Sequence, residues 1–477
     1  MNNTRKKTLA LLLAGLTMLA GSAPSSRSQT TPRRASYIPY QEARPILEAL
    51  SEILPAQLKA DAPAAWVKWT TGRDAEIRAR LIQGDEDSLV NFLLFGISFT
   101  RRPRITLNEL AQAGRGGAES PEVMSVMERI KLRADDLIQG LLAPSSNERL
   151  LFARRIIDGK SYALKTDAER ARVKQYLIES FFRVISESSS YAKILESARM
   201  QGDPSAEFAE RSKLFRDRGL SSDTTLMPNF AIERSLAALK MQGLIAPGSV
   251  RRVAIVGPGL DFTDKQDGYD FYPQQTIQPF ALIDSLLRLG LARANELRLT
   301  TLDLSPRINA HLDRARQQAA QGTGYTVQLP RDSQWKPELG DYWSKFGDQI
   351  GVTVAPVATP SSLGDVKVRA VRIRPAIVSL ISSADVNIVL QRLDLAKDEA
   401  FDIIIATNIL VYYDVFEQSL ALANVERMLR PGGFLLSNNA LLELPSSGVH
   451  SVGYETAVYS DRPGDGDHIV WYQRGAK

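Results

Sequence analysis

The sequence predicts an α/β protein in two parts: an all-α N-terminal domain, then a mostly parallel sheet covered by helices and ending in an antiparallel hairpin. Three observations carry that prediction. From about 37 to 245 the apolar residues recur every three or four positions, and segments of strand character are scarce. From 250 onward, apolar runs of strand length alternate with amphipathic helical stretches, which is the pattern of a sheet buried on both faces. The last part of the chain carries two alternating segments around the turn Arg462-Pro463-Gly464-Asp465-Gly466.

The elements follow in order. Ile46, Leu47, Leu50, Ile53 and Leu54 form one helical stripe, and Val173, Leu177, Phe181 and Val184 form another. Trp66 and Trp69 sit at helical spacing and read as core packing. In the second half the predicted strands are 253–256, 297–302, 386–390, 402–406 and 434–437, with helices at 276–289, 306–320 and 415–429. Ser305-Pro306 marks a helix start, because proline at the first helical position gives up an N–H that has no partner there. Asp414 followed by Glu417 reads as a capping box, and Pro431-Gly432-Gly433 ends the same helix. Residues 454–459 and 468–472 are the hairpin strands. An insertion occupies about 322–380.

Composition narrows the function classes. The chain has 477 residues, no Cys and only three His, which excludes disulfide scaffolds, thiol catalysis and Cys-ligated metals. Of the net charge of +5, three units come from Arg5, Lys6 and Lys7. No later basic cluster interleaves with aromatics, so no nucleic-acid partner is expected. Residues 1–22 have the layout of a signal peptide: a basic start, an apolar run too short to span a bilayer, then small residues. The expected organisation is therefore a signal peptide at 1–22, a disordered leader at 23–36, the helical domain at 37–245 and the α/β domain at 246–477. No integral membrane segment is expected beyond the N-terminal one.

Ligands of an open parallel sheet bind beyond the carboxyl ends of its strands. Four such ends carry suitable residues. The segment VAIVGPG runs a strand into Gly257 and Gly259, where backbone can approach a ligand closely. LTTLD ends the next strand at Asp303, a carboxylate suited to accepting from two ribose hydroxyls or to capping the turn at Ser305. NIVLQRLD ends another at Asp394, suited to an adenine amino group or a solvated loop. FDIIIATNILVYYD places Asn408 and Tyr412 just past a fourth.

In that order, these features resemble class I S-adenosylmethionine-dependent methyltransferases, a Rossmann-like family. The stretch FDIIIATNILVYYDVFEQSLALANVERMLRPGGFLL is similar to the chemotaxis-receptor (CheR-type) glutamate methyltransferases, which also carry a helical domain ahead of the catalytic one. The resemblance spans roughly 250–445. It implies S-adenosylmethionine as cofactor, with Gly257 and Gly259 against its methionine part, Asp303 on the ribose and Asp394 on the adenine. It puts Asn408 and Tyr412 near the methyl group and the acceptor, as the catalytic pair. It also implies an unidentified methyl acceptor, with a protein carboxylate as the class.

Three departures stand out. The family's first strand carries an acid where this chain has Ile255, and Asp261 stands at the third glycine position, where it is a candidate to replace that acid. The family's Arg is Thr407 here. The aromatics Tyr269, Phe271 and Tyr272 read as a lid over the pocket or as an ordinary surface loop. The leading expectation is a methyltransferase; the alternative is an exported, non-catalytic methyltransferase-like binding or scaffold module. The signal-like start implies export, or a body on the cytoplasmic face if the segment stays as an anchor.

Overall fold

A computed structural model of the chain describes residues 34–59, 62–115, 120–200, 218–262, 269–331, 334–363, 366–438, 440–462 and 465–475. The signal-like segment and most of the leader lie outside these. The elements run β1 (Ala35–Tyr37), α1 (Tyr40–Ala49), α2 (Pro63–Phe95), α3 (Leu107–Arg115), α4 (Pro121–Leu142), α5 (Glu148–Gly159), α6 (Asp167–Met200) and α7 (Met227–Met241). There follow β2 (Arg252–Val256), α8 (Gln278–Arg288), β3 (Arg298–Leu302), α9 (Pro306–Ala320), β4 (Tyr325–Arg331), α10 (Pro337–Lys345), β5 (Gly351–Val354) and β6 (Lys367–Ile373). The chain continues through α11 (Pro375–Val378), β7 (Ile381–Ala384), β8 (Gln391–Leu393), β9 (Phe401–Ala406), α12 (Val415–Met428), β10 (Leu429–Ser437), β11 (Val449–Val458) and β12 (Gly466–Arg474).

The main sheet has seven strands in the order β11-β12-β10-β9-β2-β3-β7. Strands β7, β3, β2, β9 and β10 are parallel, and β12 runs antiparallel to both of its neighbours. The hairpin strands are longer than the alternation alone predicts, and Gly453 adjoins a register shift in β11. The chain steps outward from β2 through β3 to β7. It then returns to the other side of β2 and steps outward again through β9 and β10. Strand order therefore reverses between β2 and β9, which opens a crevice at their carboxyl ends.

Alternation along the strands divides two cores. Val253, Ile255, Ile403, Ile405 and Leu436 face one core, where α7, α8, α9 and the insertion pack. Ala254, Val256, Ile404, Ala406 and Leu435 face the other, with Ile46, Trp66, Ile77 and the apolar side of α12. Here the structure corrects the expected domain boundary at 245. The first two helices of the N-terminal half form one of the sheet's covers, and α7 covers the opposite face. A third core, which includes Leu93, Ile130, Leu137, Ile157 and Leu177, belongs to the helical half and takes in Phe262 of the α/β half. The helical half is also not purely α. Ala35 and Ser36, placed in the disordered leader by sequence, form β1 with Tyr37 and pair antiparallel with β8.

The insertion folds as a three-stranded antiparallel sheet, β4-β6-β5, buttressed by α10. Its Val327, Leu329, Phe346 and Val371 join the first core, so it extends that cover. Among the described residues no helix is long and apolar enough to cross a membrane.

Local signals act largely as their chemistry dictates. Asp414 accepts from the Glu417 amide at 2.9 Å and the Glu417 side chain accepts from the Asp414 amide, closing the capping box of α12. At α9 the start falls at Pro306 as expected, but the Ser305 hydroxyl makes no capping bond.

Candidate functional site

Beyond the carboxyl ends of β2, β3 and β9 lies a cleft of about 530 Å³. Strand register explains how it is assembled. Val256 pairs with Leu302 and Leu302 with Ala384, while Ala406 pairs with Ser437. Gly257, Asp303, Thr407, Asn408 and Asn438 thus come to line one rim.

Gly257 and Gly259 both have positive φ, 64° and 69°. Residues with a Cβ adopt such values reluctantly. A Cβ on Gly257 would also stand 2.2 Å from Ile409 Cδ1, and one on Gly259 2.8 Å from Thr224 Cβ. The turn therefore needs glycine at both positions, and it forms one end of the cleft.

Asp303 is 7% exposed and presents its carboxylate to the cleft. One oxygen accepts from the Ser305 amide at 2.7 Å. Burial pushes its carboxyl up to about 7, against the opposing pull of that amide and of the Arg307 charge. Of the two roles considered for this residue the turn contact is present, and the carboxylate also lines the cleft.

Asn408 follows β9 with φ 59°, a left-handed conformation that asparagine tolerates better than most residues. Its amide donates to Asn438 Oδ1 at 2.8 Å, and the two side chains are joined by a second bond from Asn438 Nδ2. Tyr412 lies on the same wall. Thr407 accepts from Gln278 Nε2 at 3.1 Å, joining the end of β9 to α8.

Two residues expected here lie elsewhere. Asp394 is exposed beyond β8, where it accepts from Ser36 Oγ at 2.6 Å, on the small sheet with β1. The apolar run 386–390 is not a strand of the main sheet. The strand beside β3 is β7, whose sequence Ile-Ser-Ser-Ala has no apolar run; Ser382 Oγ pairs instead with Thr300 Oγ1 at 3.2 Å. The acid at the end of β7 is Asp385, held by Arg78 at 2.8 Å, and Val386 and Ile388 then line the cleft. Asp261 also falls outside the cleft. Its carboxylate accepts from Tyr272 Oη at 2.8 Å and Gln275 Nε2 at 2.9 Å, away from the glycine turn. Tyr269 and Tyr272 are buried with it beside a separate small hollow, so they form no lid over the cleft.

Sequence reasoning missed two further walls. Residues 220–225 form a strap fastened by backbone bonds from the Leu260 amide to Ser222 O at 2.7 Å and from the Thr224 amide to Leu260 O at 3.3 Å. This strap packs on α2: a Cβ on Gly84 would stand 1.9 Å from Leu220 O, so the contact depends on glycine there. The other wall comes from the hairpin, through Tyr459, Asp465, Gly466 and Asp467. No local motif marks either wall, since both are brought in by packing.

Among the described residues no cluster suited to a metal ion is present. No family model matches the chain, and no curated protein matches it. Solved structures align at low similarity. The magnesium protoporphyrin IX methyltransferase ChlM from Synechocystis, with bound SAM, aligns at 11% identity and TM-score 0.26, over 61% of this chain and 97% of that one. The CurJ carbon methyltransferase aligns at 13% and 0.25, over 92% and 100%. The glycopeptide N-methyltransferase MtfA with sinefungin aligns at 13% and 0.22, over 54% and 70%. At such scores the overlaps define neither chemistry nor substrate; sheet order and cleft do more.

Proposed function

We propose that the chain is an S-adenosylmethionine-dependent methyltransferase. The observation that carries this reading is the position of the cleft at the reversal of strand order, with a positive-φ glycine turn after β2 and a buried carboxylate after β3. Its donor set suits a nucleoside bearing an amino-acid arm. Gly257 and Gly259 leave room for the arm, Asp303 accepts from ribose hydroxyls, and Leu304, Val386 and Ile388 offer apolar walls to a base. When bound, the cofactor supplies an electrophilic methyl group.

The chain's own part is mainly alignment, which is worth roughly 7–11 kcal/mol in well-oriented reactions. The linked Asn408–Asn438 pair fixes the end of β9, and Asn408 and Tyr412 form the wall that orients the acceptor. The strap 220–225 and Leu81 of α2 wall the cleft. A protein carboxylate as acceptor, the class implied by the chemotaxis-receptor resemblance, would meet Asp223, Asp303, Asp465 and Asp467 there.

A second reading, an exported non-catalytic module of the same fold, is favoured by Ile255, a fully buried aliphatic where the family has an acid. Calorimetric titration of the full-length chain with S-adenosylmethionine and S-adenosylhomocysteine separates the two. Micromolar binding that Asp303→Ala loses supports the enzyme. No binding by a protein that melts cooperatively supports the module. Export by residues 1–22 is part of the proposal, with retention as a cytoplasmic-face anchor as its alternative. The N-terminal sequence of the protein recovered from cell fractions decides between them.

A further inference from the structure

We propose that the hairpin side of the cleft binds a cation, and that the methyl acceptor is a basic amine rather than a carboxylate. The inference rests on the methyl-transfer reading for the word acceptor; the charge argument rests on the cleft alone. The charged side chains among the described residues lining the cleft are Asp223, Asp303, Asp465 and Asp467, with no Lys, Arg or His. This is a cavity of one sign in a chain whose net charge is +5. A cleft lined by one sign concentrates ligands of the other.

Hydrogen-bond directions point the same way. Tyr459, 4% exposed, donates its only hydroxyl proton to Asp467 Oδ2 at 2.6 Å, and Ser460 Oγ donates to Asp465 Oδ2. On that wall Tyr459 is left with lone pairs to offer, and so are the carboxylates. No described residue forms a salt bridge with Asp465 or Asp467, which are half-buried, whereas the fully buried Glu417 and Asp284 are paired with Arg73 and Arg288. Asp303 and Asp223 lie toward the cofactor end, the latter bridged to Leu260 beside the glycine turn. Asp465 and Asp467 are thereby left for the second ligand.

The bound ammonium releases one proton to solvent, which frees its lone pair. That pair forms the bond to the methyl carbon, and the carbon–sulfur bond breaks with its electrons left on sulfur. The product amine again carries one positive charge.

The test titrates the full-length chain, saturated with S-adenosylhomocysteine, with phenethylamine and separately with phenylacetate, a carboxylate of similar size. The amine should bind about tenfold or more tightly than the carboxylate. Asp465→Asn/Asp467→Asn should abolish that preference while S-adenosylhomocysteine affinity stays within about twofold, and Asp465→Glu/Asp467→Glu should restore it. Equal binding of the probes, tighter binding of phenylacetate, or no binding of either to a protein that holds S-adenosylhomocysteine overturns the inference and leaves methyl transfer standing. Failure to bind S-adenosylhomocysteine removes the methyl-transfer reading instead. In that case an amine preference lost in the Asn variant keeps the cation site, and the lack of one overturns it too.

Discussion

Burial lifts the Asp303 carboxyl to about 7, while an aspartate in the unfolded chain titrates near 3.8. Between those values the native state holds a proton that the unfolded state has released. Stability from this group is therefore greatest at low pH and falls as pH rises from about 4 to about 7. Asp303→Asn keeps the acceptor for the Ser305 amide and removes the buried charge. The variant should melt higher than the parent at pH 8, with the difference closing toward pH 4 in paired calorimetric scans. The same variant should bind S-adenosylhomocysteine about tenfold or more weakly, since a hydrogen bond to a charged group contributes about 1.5–3 kcal/mol. Higher stability with poorer binding would mark a residue kept for its ligand. Asp303 and the two glycines were legible in sequence because each ends an apolar strand. Asp394 was misplaced because a buried loop, 386–390, mimics a strand, whereas the true strand β7 is short and serine-rich at the sheet edge.

At the scale of elements, the helical half is joined to the sheet through shared apolar cores and through polar contacts, one of them at Glu417. The Glu417 carboxylate of α12, 1% exposed, meets Arg73 of α2 at 2.6 Å. Burial raises its carboxyl, and the Arg73 charge opposes that rise. Glu417→Ala removes the buried partner of Arg73 and half of the capping box. A loss of about 3 kcal/mol in denaturant unfolding is expected. Gly84 makes a different contact, which holds the strap on α2. Gly84→Ala drives a methyl into the Leu220 carbonyl, so the strap must shift off α2. We expect weaker S-adenosylhomocysteine binding together with a lowered melting temperature, read from the same thermal scans with and without ligand. The capping box was legible because its chemistry is local. The strap was not, because Gly84 and Leu220 are far apart in sequence and neither stands out from its neighbours.

For the whole molecule, the shared second core predicts cooperative unfolding. Ile46, Trp66 and Ile77 bury the same face of the sheet as Phe416 and Leu435. Separating the chain at 245 would expose that apolar face on both pieces. The full-length chain should therefore melt in one calorimetric transition, and residues 246–477 alone should show no cooperative melt. Two independent transitions in the intact chain would contradict the shared core. The charge distribution also belongs to this scale: a chain of net positive charge assembles a cleft whose charged walls, among the described residues, are carboxylates, from segments as distant as 223 and 467.

The sequence by itself determined β2, β3, β9, β10 and the hairpin, helices α8, α9 and α12, the capping box of α12, the glycine turn and the acid after β3. Each of these is written in residues within one or two turns of one another, where periodicity and capping chemistry act directly. Tertiary structure alone decided strand order, the choice of β7 over 386–390, the use of the N-terminal helices as a cover and the acidic hairpin wall. Those outcomes depend on which apolar faces bury one another across hundreds of residues, and that free energy is spread over many side chains instead of concentrated in a motif.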